Sequence, residues 1–138
     1  MSRHIAKEIA AKLEIKLAAF LLKAHELGSK VKWLDVEDTR GKAPKVRVYV
    51  RKSIRLIGGS LVDCLDLGTI EVRRDLQRKG VLTAVLSMME RVNPWAAVFV
   101  ENVMNPDVAD AVHGLGYLTH QPETITEGHP LCLFKLKQ

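Results

Sequence analysis

At 138 residues the chain is long enough to bury a hydrophobic core without disulfide or metal staples, and we expect one domain over 1–138. Its 47% hydrophobic and 27% charged residues, with a mean hydropathy of +0.01, are those of a globular protein; no apolar run approaches the roughly 18 residues of a membrane span, and no secretory pattern is present. The net charge of +5 suits a polyanionic partner, but 5% aromatic content and dispersed lysines and arginines argue against a stacking platform for single-stranded nucleic acid.

Ile5, Ile9, Leu13, Leu17, Phe20, Leu21, Ala24 and Leu27 recur at helical spacing, with charges on the other face and Gly28 as a stop, so a long amphipathic helix opens the chain. Val31 to Val36 reads as a short strand, closed by the polar loop Asp38 to Pro44. Val46, Val48 and Val50 alternate with Lys45, Arg47, Tyr49 and Arg51, which predicts a half-buried strand; Ile54 and Leu56 suggest a further short one ending at Gly58-Gly59. Leu65, Leu67, Ile70 and Val72 form another, and their spacing changes across Gly68, where we expect a bulge.

Helical period returns from Val81 to Arg91, with Met88 and Met89 as core filler, and Asn93-Pro94 ends the run. Ala96 to Val100 is apolar and short, the pattern of a buried central strand. Asn105-Pro106 is a helix start, and Val108, Ala111, Val112 and Leu115 follow on one face until Gly116. Leu118 to His120 and Leu131 to Leu136 are closing strands around the loop Gln121 to Pro130. Cys64 and Cys132 have no metal-ligand or redox spacing, so reduced thiols in a cytoplasmic protein are expected, and no metal site. The element order predicts an α/β domain with a mixed sheet covered by helices.

One segment carries most of the chemistry. Val72 ends an apolar strand, Arg73 to Lys79 form a short basic turn, and Gly80 opens an amphipathic helix. Such a turn aims free backbone N–H groups and a helix dipole at one point, a ready site for a phosphate or pyrophosphate.

Val72 to Thr83 resembles the acetyl-coenzyme A signature of the GNAT superfamily of N-acetyltransferases: Gln or Arg, two residues, Gly, one residue, then Gly or Ala, here Gln77-Arg78-Lys79-Gly80-Val81-Leu82. A second match is Asn105 followed by Gly116-Tyr117, where family members carry an asparagine opening a helix and Gly-Phe or Gly-Tyr closing it. The resemblance covers roughly Leu65 to the C-terminus. It implies a mostly antiparallel mixed sheet with splayed central strands, acetyl-CoA as co-substrate, and direct acetyl transfer to a primary amine in a ternary complex. Gln77, Arg78, Lys79, Gly80, Val81, Leu82, Thr83 and Asn105 would serve the donor, and the Val72 backbone N–H would polarise its thioester carbonyl. Two positions depart from the pattern. Leu82 replaces the second Gly or Ala, and Val112 stands where many members place a tyrosine acid; the adjacent His113 is rotated by about 100° around the helix.

An ammonium has no lone pair, so the reaction needs a base. Glu101 ranks first, Asp66 second and Glu71 third. A nucleophilic role for Cys64 or Cys132 is disfavoured, since direct transfer needs none. The acceptor would be an amine-bearing small molecule, peptide or protein, and a homodimer through the C-terminal hairpin stays open. Two alternatives remain beside the enzyme: a GNAT-like module that binds acyl-CoA without turnover, and a small basic nucleic-acid-binding or inhibitory protein, favoured by charge alone.

Overall fold

The N-terminal apolar stripe forms a helix of 26 residues, α1 (Ser2–Leu27), in the computed structural model of the chain, which describes residues 2–27, 31–36, 43–103, 106–121 and 131–137. Gly28, Asn105 and most of the two loops expected at Asp38 to Pro44 and Gln121 to Pro130 lie outside the described residues. Ala6, Ile9, Ala10, Leu13, Leu17, Phe20 and Ala24 lie along one side of α1 at helical spacing and are all buried. The second helix, α2 (Val81–Val92), buries Val81, Val85, Leu86, Met88 and Met89. It packs against α1, and Arg91 reaches across to both carboxylate oxygens of Glu14. Asn93 ends it with a purpose: its N–H bonds Met89 O at 2.9 Å, while its buried side chain bonds Ala97 O and the Trp95 N–H. The helix thereby hands the chain directly to the next strand. The third helix, α3 (Pro106–Gly114), inserts Ala109 and Val112 into the same core.

Six strands form one sheet in the order β1-β2-β3-β4-β6-β5. They are β1 (Val31–Val36), β2 (Val46–Ile57), β3 (Ser60–Val72), β4 (Ala97–Val103), β5 (Leu118–Thr119) and β6 (Leu131–Leu136). All neighbours are antiparallel except β3 and β4, which run parallel. The mixed, mostly antiparallel sheet is thus the one expected.

One expectation needs correcting. Ile54 and Leu56 do not begin a separate strand, because β2 runs unbroken from Val46 to Ile57 and pairs with β3 along its length. Lys52 and Ser53 interrupt its apolar pattern without interrupting its hydrogen-bond ladder. The hairpin closes on Gly58 and Gly59, both at positive φ (60° and 81°), as a two-residue turn matched to strand twist requires.

Strand alternation divides the sheet into two faces. Val46, Val48, Val50, Leu65, Leu67, Val98 and Val100 join every buried helix residue in one core. The opposite face carries a smaller cluster of Ile57, Cys64, Ala97 and Phe99, to which, among the described residues, no helix contributes. On that second face the sheet also presents Arg51, Asp66 and Glu101.

Candidate active site

The parallel pair at the sheet centre does not stay paired. β3 and β4 are in register from Cys64↔Ala97 to Leu67↔Val100, and no further. Beyond that point β3 stays with β2 as far as Val46↔Val72, while β4 follows β6 to Val103↔Leu131. The cause lies at Gly68. Tyr49 pairs with Thr69 and the next residue, Val50, with Leu67, so Gly68 is the extra residue of a bulge, as its sequence position predicts. A Cβ on Gly68 would stand 2.8 Å from Tyr49 Cδ2, which is why the bulge carries glycine. Bulge and divergence together open a gap between the ends of β3 and β4.

Val72 sits at the lip of that gap. The Arg73 N–H bonds Lys45 O at 2.9 Å, toward β2, so alternation turns the Val72 N–H and C=O the other way, toward the gap. The Gln77 side-chain amide donates to Val72 O at 3.0 Å. That bond ties the basic turn to the strand end and leaves the Val72 N–H as the group facing the opening.

The turn itself is built for backbone display. Arg73 is clamped by Asp75 (2.6 and 3.1 Å) and by Ala43 O (2.9 Å), and a single 3-10 turn, Arg74–Leu76, drops Leu76 into the core. Arg78 (φ 61°) and Gly80 (φ 78°) then adopt left-handed conformations on either side of Lys79. Such alternation makes successive N–H groups converge on a concave anion nest. Nothing lies within 4 Å of a Cβ built on Gly80, so its positive φ, and not crowding, calls for glycine. The first helical bond of α2 is Ala84 N–H to Gly80 O, which leaves the N–H groups of Val81, Leu82 and Thr83 without a partner among the described residues. Val81 is buried and Leu82 packs partly into the core, so the bulk of Leu82 points away from those N–H groups. Gln77, Arg78, Lys79 and Thr83 are exposed around the turn. Asn105 lies outside the described residues.

All three candidate bases occupy the second sheet face, in different states. Glu71 is exposed at the end of β3. Asp66 is fully buried; its Oδ2 accepts from Arg55 Nη2 at 2.5 Å and from Arg51 Nε at 3.3 Å. Glu101 Oε1 is bonded by Nη2 of both arginines. Two guanidiniums thus bridge two carboxylates from three strands, and the Arg55 guanidinium lies 4.3 Å from the centre of the Phe99 ring. The spacing of Arg51 and Arg55 along one face of β2 was a usable signal for this network, but their partners could not be read from one strand.

Other groups fall away from the site. Val112 is buried in the core on α3 and supplies no acid. His113 bonds Tyr117 O and Thr119 Oγ1, closing its own helix end. Tyr117 is buried with its hydroxyl on Glu90 at 3.1 Å; burial, then Glu90, pushes its pKa up. Cys64 is buried too, and burial followed by the charge of Asp66 pushes its thiol up to about 11, unsuited to nucleophilic attack at neutral pH. No group of three metal-ligating side chains occurs among the described residues, and no helix among them is long and apolar enough to cross a membrane.

No family model and no curated protein matches the sequence. The fold nevertheless matches solved structures. The fold is GNAT-like, shared with solved structures described as acetyltransferases. A mutant of the toxin AtaT, solved with the C-terminus of the antitoxin AtaR and acetyl-CoA, is similar at a TM-score of 0.59 and 16% identity, over 91% of this chain and 79% of that one. A KacTA–DNA complex gives 0.56 and 18% over 88% and 79%. A structure described as a histone acetyltransferase and related acetyltransferase from Corynebacterium glutamicum gives 0.51 and 16% over 91% and 76%.

Proposed function

We propose that the protein is an acetyl-CoA-dependent N-acetyltransferase that acts on a primary amine. The observation that carries this reading is the junction of two features: the divergence of β3 and β4 beyond Leu67 and Val100, and the turn that leads from Val72 into α2. The donor's pyrophosphate would meet the N–H groups of Gly80 to Thr83, with Arg78 and Lys79 beside them. Its pantetheine arm would enter the gap, placing the thioester carbonyl near the Val72 N–H. Acetyl-CoA supplies an acetyl thioester, whose carbonyl carbon an amine attacks and whose thiol departs. Glu101 is the favoured base because it is the least buried carboxylate of the arginine network, at 13% exposure against none for Asp66. The acetyl-CoA recorded in the AtaT structure supports the choice of donor. The antitoxin in the same structure suggests that a protein partner belongs to the biology of this chain as well.

Acetyl-CoA should raise the melting temperature, and Gly80→Asp should abolish the rise by setting a carboxylate in the anion nest. Gly80→Asn, which tolerates the same φ without charge, should retain part of it. Absence of any shift for the unaltered protein at millimolar acetyl-CoA would overturn the reading. Acetylation of an amine panel, followed by mass spectrometry, then tests transfer. A second reading, a module that binds acyl-CoA without turnover, is favoured by the buried Val112 at the usual acid position. It predicts the same thermal shift with no acetylated amine.

A further inference from the structure

The arginine network is neutral in sum but not in what it shows. Its carboxylates are sequestered, with Asp66 fully buried and Glu101 at 13% exposure, while Arg51 and Arg55 retain 34% and 26%. A molecule that approaches this face therefore meets the arginine side chains before the carboxylates. The network is also unsaturated. Asp66 Oδ1, Arg55 Nε and Ser53 Oγ are buried without a hydrogen-bond partner among the described residues. Ser53 pairs with Cys64 and Arg51 with Asp66, so these groups share one patch of the face. Buried ions held by part of their hydrogen-bonding capacity sit in a shallow arrangement, and a better partner set is rewarded. Glu101 is the member best placed to move, being the less buried acid.

We propose that Arg51 and Arg55 select an acceptor that carries an anionic group, carboxylate or phosphate, close to its amine, and that this anion frees the base. The inference rests on the transferase reading above. The acceptor's anion takes the guanidinium N–H groups now held by Glu101, as planar forks suit either oxyanion. Glu101, released, accepts one proton from the acceptor's ammonium and leaves a neutral amine as the nucleophile. As the C–N bond forms and the C–S bond breaks, a second proton passes from nitrogen to the departing sulfur. A polycationic acceptor meets two part-exposed arginine side chains and is disfavoured.

Ethanolamine, β-alanine and O-phosphoethanolamine form a matched probe set: neutral, carboxylate and phosphate. Titrated into the CoA-saturated protein by calorimetry, one or both anionic amines should bind at least about tenfold tighter than ethanolamine, and the tighter of the two identifies the anion. Arg51→Gln should reduce that preference to about twofold, and Arg51→Lys should restore part of it, with the acetyl-CoA thermal shift reporting that each variant is folded. In acetylation assays the preference should appear as the same ratio of kcat/KM. Equal binding of the three amines to the unaltered protein, or a preference that survives Arg51→Gln, would overturn the proposal. Tight anion binding without acetylation would sink the transferase reading and leave the anion site standing. A lost thermal shift with acetyl-CoA would remove the donor reading by itself.

Discussion

Glu101, Asp66 and Glu71 share one sheet face but should respond differently to loss of charge. On the transferase reading, Glu101→Gln should lower turnover by about 10²–10³ while the acetyl-CoA thermal shift persists, because it would remove the proposed base and leave the proposed donor site untouched. Glu71→Gln, at an exposed position outside the network, should change kcat by less than about threefold. A steep loss there instead would reassign the base. Asp66→Ala belongs to another class, since it leaves Arg51 and Arg55 without their buried counter-charge. It should cost about 3–5 kcal/mol, read by urea denaturation. The carboxylates themselves were visible in the sequence as acids in or near apolar strands. Their arginine partners were not, because Arg51 and Glu101 lie 50 positions apart and meet through two intervening strand registers.

At the scale of elements, the bulge at Gly68 decides whether there is a gap. Gly68→Ala forces a methyl group against the Tyr49 ring and should destabilise by about 1–3 kcal/mol. Tyr49→Ala in the same chain should relieve much of that clash, giving a coupling above about 0.5 kcal/mol in a double-mutant cycle. Additive effects would mean that the bulge tolerates the methyl group by other means. The bulge was legible because apolar spacing shifted by one residue at a glycine. The turn into α2 was legible because Gly80 precedes a clear helical period. The length of β2 was not: past the last β1 pairing at Arg51 burial still alternates, but the exposed positions carry the apolar Ile54 and Leu56 and the half-buried ones Ser53 and Arg55, and the strand is defined there by its backbone pairing with β3. A ladder of N–H and C=O groups leaves no mark on side-chain pattern.

For the whole molecule, the clearest consequence of burial is alkaline. Cys64 carries its thiol pKa up from 9.0 to about 11 through burial and the charge of Asp66. Between those values the unfolded chain has released the proton and the folded one retains it, so stability is intact below about pH 9 and falls as pH rises toward 11. The loss is on the order of 2 kcal/mol, and Tyr117, raised in the same sense, adds to it above its ordinary value near 10. Melting temperature measured across pH 8 to 11 should decline, and Cys64→Ala should flatten the first part of the decline. An unchanged slope in that variant would show the thiol to be uninvolved. The sheet order explains one further property. β2 and β3 meet across a two-glycine turn, whereas α2 lies in sequence between β3 and β4, which pair from Cys64↔Ala97 to Leu67↔Val100. Local pairing is fast and distant pairing slow. The hairpin should therefore form before the parallel seam, which places the gap between β3 and β4 in the later pairing. A nascent or partly unfolded chain would lose this cleft before it loses the hairpin, and ligand present during refolding would act on the last step.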